Sequence, residues 1–353
     1  MPQNPVPLPI PSFFDPRHAA DWSYRPDAAQ LATAATAWRA QHAIRPSAAA
    51  ETRVHLLLID VQKDFCFPEG TLYVAGRSGT GAIDDSRRIA ELVYRNLGVF
   101  TDITTTLDTH LAYQIFFPSF WLDKADQPLT PYRTISADEI AAGDVRPNPA
   151  MAKWLCNGNY TWLCKQVEYY CRELERAGKY QLYLWPPHCL LGSDGHALAG
   201  VVHEARLFHA FARTAQSNVE VKGGNPLTEN YSVLRPEVTS RFDGQALGQR
   251  NTQFLHTLLT ADAVVIAGQA ASHCVKSTID DLLGEIAAQD PTLATKVYLV
   301  TDCMSAVTVP DGKGGFAADF TTQADAALQK FAAAGMHLVK STDPITSWPG
   351  LRL

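Results

Sequence analysis

No run of apolar residues in this chain approaches the ~20 needed to cross a bilayer as a helix. The first residues also lack the basic-then-apolar order of a secretory leader. A membrane partner is therefore not expected, and the cytoplasm is the expected compartment. A dense Lys/Arg cluster is missing too. With 30 Lys+Arg against 36 Asp+Glu the formal charge is −6, so the sequence carries no electrostatic footprint for nucleic acid. No Cys-x-x-Cys pair suggests a structural zinc, and seven cysteines scattered irregularly do not make a disulfide framework. Reduced thiols are the expectation, which leaves one available for chemistry. Internal repeats and low-complexity linkers are absent as well. What remains is an ordinary globular composition, 46% hydrophobic and 19% charged over 353 residues, enough for one large core or two modest ones.

The chain begins with a proline-rich stretch (Pro2, Pro5, Pro7, Pro9, Pro11) and an alanine-rich segment, 27–43, of helix-forming composition. Residues 1–50 read as an arm added to a main domain over 51–353. Within that domain Val54 to Asp60 is an apolar run ending in an acid, and Val99 to Leu107 is a β-branched run followed by Asp108. Strands are also expected over 180–184, 219–222, 263–267, 296–301 and 336–339. Helices are expected over 83–97, 162–177, 203–214, 275–287 and 318–334, the second with Cys164, Val167, Cys171 and Leu174 on one stripe. Repeated strand–helix units of this length predict a three-layer α/β/α fold with a mainly parallel, Rossmann-like sheet. Residues 123–179 are too long for an ordinary connection and read as an insertion that caps a site or meets a neighbouring subunit.

In such a fold ligands bind beyond the carboxyl ends of the strands. Asp60, Asp108, His188, Lys222 and Cys274 are the polar residues standing where apolar runs stop. Ile59-Asp60-Val61-Gln62-Lys63-Asp64-Phe65, followed by Gly70-Thr71-Leu72, resembles the opening signature of nicotinamidases and the isochorismatase-like cysteine hydrolases. Gly268-Gln269-Ala270-Ala271-Ser272-His273-Cys274-Val275 resembles the nucleophile loop of that family, and Lys222 matches its catalytic lysine by order and context. The resemblance implies the same hydrolase fold, a cis Gln269–Ala270 bond, and an oxyanion hole made by the amides of Ala270 and Cys274.

Amide hydrolysis needs a strong nucleophile, a proton for the departing amine and donors for the oxyanion. Cys274 opens a predicted helix whose amides favour a thiolate, and a neighbouring Lys222 ammonium is expected to lower the thiol pKa further. Asp60 then shuttles the proton, with a thioester between the two half-reactions. Asp108-Thr109-His110 places two metal-ligand side chains on alternate positions of an extended segment, and Trp185-Pro186-Pro187-His188 supplies a third. One carboxylate and two imidazoles suit one divalent ion, zinc first, with iron and manganese as alternatives. The family holds an ion with the same phrases, although its compact members often continue with a further histidine where Leu111-Ala112-Tyr113-Gln114 stands here. Phe65, Trp185 and Tyr231 lie near these motifs and could wall a pocket for a planar ring. His273 adjoins the nucleophile without an assigned role. The expected partner is a small carboxamide such as nicotinamide, and a homo-oligomer is expected. An N-carbamoyl or ureidoacrylate-type amidase, and a non-catalytic binding protein on the same scaffold, are the alternatives.

Overall fold

The computed structural model describes residues 7–178 and 180–353; Pro2 and Pro5 of the proline-rich start lie outside them. Six strands, all parallel, make the central sheet: β1 (Val54–Ile59), β2 (Phe100–Asp108), β3 (Ser217–Lys222), β4 (Ala263–Gly268), β5 (Val297–Val300) and β6 (His337–Val339). Their order is β6-β5-β4-β1-β2-β3. The long helices are α1 (Ala28–Gln41), α2 (Gly81–Arg95), α3 (Tyr160–Arg176), α4 (Gly200–Arg213), α5 (Thr252–Thr260), α6 (Cys274–Gln289) and α7 (Thr321–Ala333).

β1 and β4 are buried along their whole lengths, as continuous apolar runs must be when helices cover both faces of a parallel sheet. Side chains alternate between the two faces. Val54, Leu56 and Leu58, with Val265 and Ala267, join the core made by α2 and α4. Leu57 and Ile59, with Val264 and Ile266, join the core made by α5, α6 and α7. The expected three-layer α/β/α architecture is the one observed.

The N-terminal segment packs on the first of these layers. Asp27 caps α1 by accepting from the Ala29 and Gln30 amides, and Leu31 and Ala35 of α1 are buried where that helix meets α4. Tyr94 of α2 donates to Glu204 of α4 at 2.7 Å, and Tyr24 donates to the other oxygen of the same carboxylate.

Between β2 and α4 the chain makes a long excursion. It holds two small antiparallel pairs, Trp121–Asp123 with Val145–Pro147 and Thr134–Ile135 with Leu182–Tyr183, and the helix α3. Leu163, Val167, Tyr170, Cys171 and Leu174 form the buried stripe of α3, with Cys164 only half-buried. The strand expected over 180–184 shrinks to Leu182–Tyr183 and does not enter the central sheet. Pro186 and Pro187 follow after Leu184 and Trp185, and neither has an N–H to give to a ladder. No helix among the described residues is long and apolar enough to cross a membrane, and all seven cysteines are unpaired.

Candidate active site

The order of strands fixes where the site lies. β2 and β3 extend the sheet to one side of β1, while β4, β5 and β6 extend it to the other. The chain thus reverses its direction of growth between β1 and β4, and a crevice opens beyond their carboxyl ends. Asp60 follows β1, Cys274 begins α6 six residues past the end of β4, and Asp108 ends β2.

Asp60 has φ of 46°, the left-handed region that few residues other than glycine enter. Thr106 on the neighbouring β2 holds it there: the Asp60 amide donates to Thr106 Oγ1 at 2.9 Å, and the hydroxyl donates to the Asp60 carboxylate. Lys222 ends β3, two strands from β1, a gap of roughly 9–10 Å that only a long side chain closes. Its Nζ lies 2.9 Å from Asp60 Oδ2, 3.0 Å from Asp108 Oδ1 and 3.6 Å from Cys274 Sγ, and donates to Asn230 O at 3.0 Å. Asp60, Asp108 and Cys274 each bring an atom within 4.8 Å of the others. Gly223 follows Lys222 with φ of +84°, and a Cβ there would stand 2.7 Å from Asp108 Oδ1 and His110 Cε1. The close approach of β3 to this cluster therefore requires glycine.

Burial dominates the electrostatics of the cluster. It raises the Asp60 pKa, with Lys222 opposing the shift and Asp108 adding to it. Burial alone would also raise Asp108, but His110 and Lys222 together hold its carboxyl well below the usual range. Lys222 would be lowered by burial and is instead held well above its usual value by Asp108 and Asp60. Burial likewise pushes the Cys274 thiol well up, with Lys222 opposing it and Asp60 and Asp108 reinforcing it. The sequence led us to expect a thiol pKa lowered by Lys222 and the helix start. The structure reverses that expectation, because the lysine is already committed to two carboxylates and the thiol is buried. The resting group is a thiol beside a basic carboxylate.

The Gln269–Ala270 peptide is cis. Neither the Ala270 nor the Cys274 amide donates to a backbone acceptor among the described residues. Phe65, Trp185, Tyr231, His188 and Ala270 line the cavity above Cys274. Trp185 Nε1 donates to Tyr231 Oη at 2.7 Å, which fixes two of its aromatic walls against each other.

Asp108, His110 and His188 come together on the other side of Lys222. His110 Nε2 is 2.9 Å and His188 Nε2 3.6 Å from Asp108 Oδ2. The second ring nitrogens are held by backbone carbonyls, His110 Nδ1 with Gly223 O at 3.2 Å and His188 Nδ1 with Pro186 O at 2.8 Å. Rings anchored through Nδ1 turn both Nε2 atoms toward one carboxylate oxygen, which suits a divalent cation. Gln114 occupies the place where a further histidine was noted as missing. Its Nε2 donates to Gly223 O at 3.1 Å, so it braces the carbonyl that orients His110.

Several supporting residues were not anticipated. Gln62 reads both sides of the Asp108 peptide, with Nε2 on Asp108 O at 2.8 Å and Oε1 accepting the Asp108 amide at 2.7 Å. It sits inside the phrase following β1 that was quoted for Asp60. Gln269 donates to buried Asp85 at 2.9 Å, which anchors the nucleophile loop to α2. Glu229 Oε1 accepts the Asn230 amide at 2.8 Å, and the Glu229 amide donates to Tyr170 Oη of α3 at 3.0 Å. The excursion between β2 and α4 is thereby joined to the loop that holds Lys222. For Thr106 a signal existed: three consecutive buried threonines, Thr104 to Thr106, just before the strand end at Asp108.

Fold and site together define a parallel α/β protein with a buried cysteine, aspartate and lysine at the switch point of its sheet. The chain resembles the nicotinamidases and their isochorismatase-like relatives. Over 124 residues it is 31% identical to a nicotinamidase of Escherichia coli (strain K12), a match that takes in 33% of this chain and 44% of the relative. The aligned part thus spans less than half of that relative's length. Among solved structures, a nicotinamidase/pyrazinamidase of Acinetobacter baumannii is 20% identical, covering 83% of this chain and 98% of that one at a TM-score of 0.48. The yeast nicotinamidase is 19% identical over 81% of this chain and 99% of that one at 0.47. A pyrazinamidase of Pyrococcus horikoshii, solved in complex with zinc, is 17% identical over 82% and 99% at 0.41. No family model matches the chain.

Proposed function

We propose that this protein is a cysteine amidohydrolase that converts a primary carboxamide, of the nicotinamide kind, to the acid and ammonia. The observation that carries the reading is the connected buried cluster of Cys274 Sγ, Lys222 Nζ and Asp60, with separations of 3.6 and 2.9 Å. The E. coli relative is a nicotinamidase, which supports the same substrate class.

Asp60 takes the thiol proton as Sγ forms its bond to the carboxamide carbon, and the Ala270 and Cys274 amides stabilise the oxyanion. A carboxyl group whose pKa burial has raised is a better base than an exposed aspartate and also a competent acid. It returns the proton to nitrogen as the C–N bond breaks, releasing ammonia and leaving a thioester. Water then adds to the thioester, giving its proton to Asp60, and the C–S bond breaks to release the carboxylic acid and restore the thiol. Lys222 stays charged throughout and balances whichever of Asp60 and Asp108 is ionised. Asp108, His110 and His188 are the residues that would hold a divalent ion, zinc or else iron or manganese. Such an ion would polarise the substrate carboxamide or a water in the pocket.

The test is ammonia release from a carboxamide panel by the wild type and by Cys274→Ala, with and without prior chelation. Cys274→Ala should retain less than a few per cent of the wild-type rate with an unchanged melting temperature. Release by the variant at a rate near wild type would overturn the assignment.

A further inference from the structure

Two cavities adjoin at the mouth of the site. The inner one, above Cys274, has a volume of only about 30 Å³, which is space for about two water molecules and therefore for little more than a carboxamide group. The outer one measures about 630 Å³, a size ordinary for drug-sized ligands, roughly 300–1,000 Å³. Tyr231 and His273 line both, so the two cavities meet at these side chains.

The outer wall is a belt of aromatic rings. His273 meets Phe320 at 4.8 Å, Trp185 at 5.2 Å and Tyr231 at 5.4 Å between ring centres, and Tyr180 lies 5.7 Å from Tyr231. Tyr183 continues the belt, 4.6 Å from Trp185 and 6.3 Å from Phe320. The rim carries Arg235, Glu237, Lys276, Asp280 and Asp281, with Arg235 paired to Asp281 at 2.7 Å and Lys276 to Asp280 at 2.7 Å. Burial lowers His273 to about 4, so its ring is neutral at pH 7. The chamber thus offers flat apolar faces, and its two basic groups are each paired with an acid, leaving neither free to hold an anionic tail.

We propose that the substrate is an elongated, uncharged aryl carboxamide, its carboxamide end in the inner cavity and its distal aromatic or apolar part in the outer chamber against Phe320, Tyr183 and His273. The inference rests on the amidohydrolase reading for the carboxamide end only. Thr134, Tyr180 and Tyr183 come from the excursion between β2 and α4, so that segment acts as the wall that selects for length.

Binding to Cys274→Ala protein, measured by calorimetry, tests this without depending on turnover, whereas nicotinamide hydrolysis by the wild type tests the amidohydrolase reading. Biphenyl-3-carboxamide should bind at least tenfold more tightly than benzamide, and a carboxylate on its distal ring should abolish the gain. Adding Phe320→Ala or, independently, Tyr183→Ala should bring the ratio of the two affinities close to one. Equal binding of benzamide and the biphenyl amide, absence of binding by both, or a ratio that survives both substitutions would overturn the proposal.

Discussion

Replacing Lys222 with methionine gives the sharpest test of how the buried cluster is held together. The ammonium is 2% exposed and lies 2.9 Å from one carboxylate and 3.0 Å from another. At an effective dielectric constant of about 20 each attraction is about 6 kcal/mol, set against the cost of removing all three charges from water. The net consequence of breaking a buried pair by deleting one partner is about 3–5 kcal/mol, because Asp60 and Asp108 are left facing each other uncompensated. Lys222→Met should therefore lower the unfolding free energy by that amount in urea titrations at pH 7, in protein freed of metal by chelation. The double variant Lys222→Met/Asp60→Asn removes one of the opposed carboxylates and should recover at least half of the loss while remaining inactive. Two results would refute the reasoning: a single variant within about 1 kcal/mol of wild type, or an Asp60→Asn effect that simply adds to the first, as independent sites do.

His188→Ala should lose the bound divalent ion under conditions where the wild type retains about one per chain, read by elemental analysis after dialysis; undiminished metal would remove His188 from the ligand set. Burial lowers His55 and His209 to about 4, below the ~6.5 of an unfolded histidine, so the unfolded chain binds the extra protons. Their contribution is complete above pH 6.5 and is lost as the pH falls toward 4, about 3 kcal/mol for each ring. His209→Gln, which can still donate to Phe100 O, should flatten the slope of stability against pH by up to one proton, and an unchanged slope would contradict this. Tyr170→Phe removes the acceptor of the buried Glu229 amide and should cost about 1–3 kcal/mol. If the excursion also positions Lys222 through Asn230, kcat should fall with KM little changed; a loss of stability with an unaltered kcat would confine Tyr170 to a structural role.

What the sequence disclosed and what it concealed follow a physical division. Apolar runs ending in an acid were legible because a parallel strand buried on both faces must be continuous, and the first polar residue past it marks the sheet edge. That reasoning located Asp60 and Asp108, and the phrase around Cys274 marked a helix start in the same way. Lys222 was the weaker reading, since its partners lie one and two strands away and that spacing is set by sheet order, which no local pattern encodes. The strand placed at 180–184 failed for a reason already visible in Pro186 and Pro187: an apolar pair before two prolines can join a small edge pair but not a ladder.

The thiol pKa was misjudged on different grounds. A lysine beside a cysteine lowers its pKa only if the lysine's charge is not already spent, and the sequence does not reveal that two carboxylates share it at 2.9 and 3.0 Å. The same commitment bears on how proton transfer would be divided in the proposed reaction. With Lys222 fixed as a cation by Asp108, it cannot serve as the base, and His273, adjacent in sequence, has Nδ1 engaged with Ser272 Oγ at 2.8 Å and its ring among Trp185, Tyr231 and Phe320. Asp60 is the group within reach of Sγ whose proton affinity burial has raised. In the proposed reaction, the burial that keeps the Cys274 thiol protonated at rest also raises the proton affinity of Asp60, the group that would accept its proton.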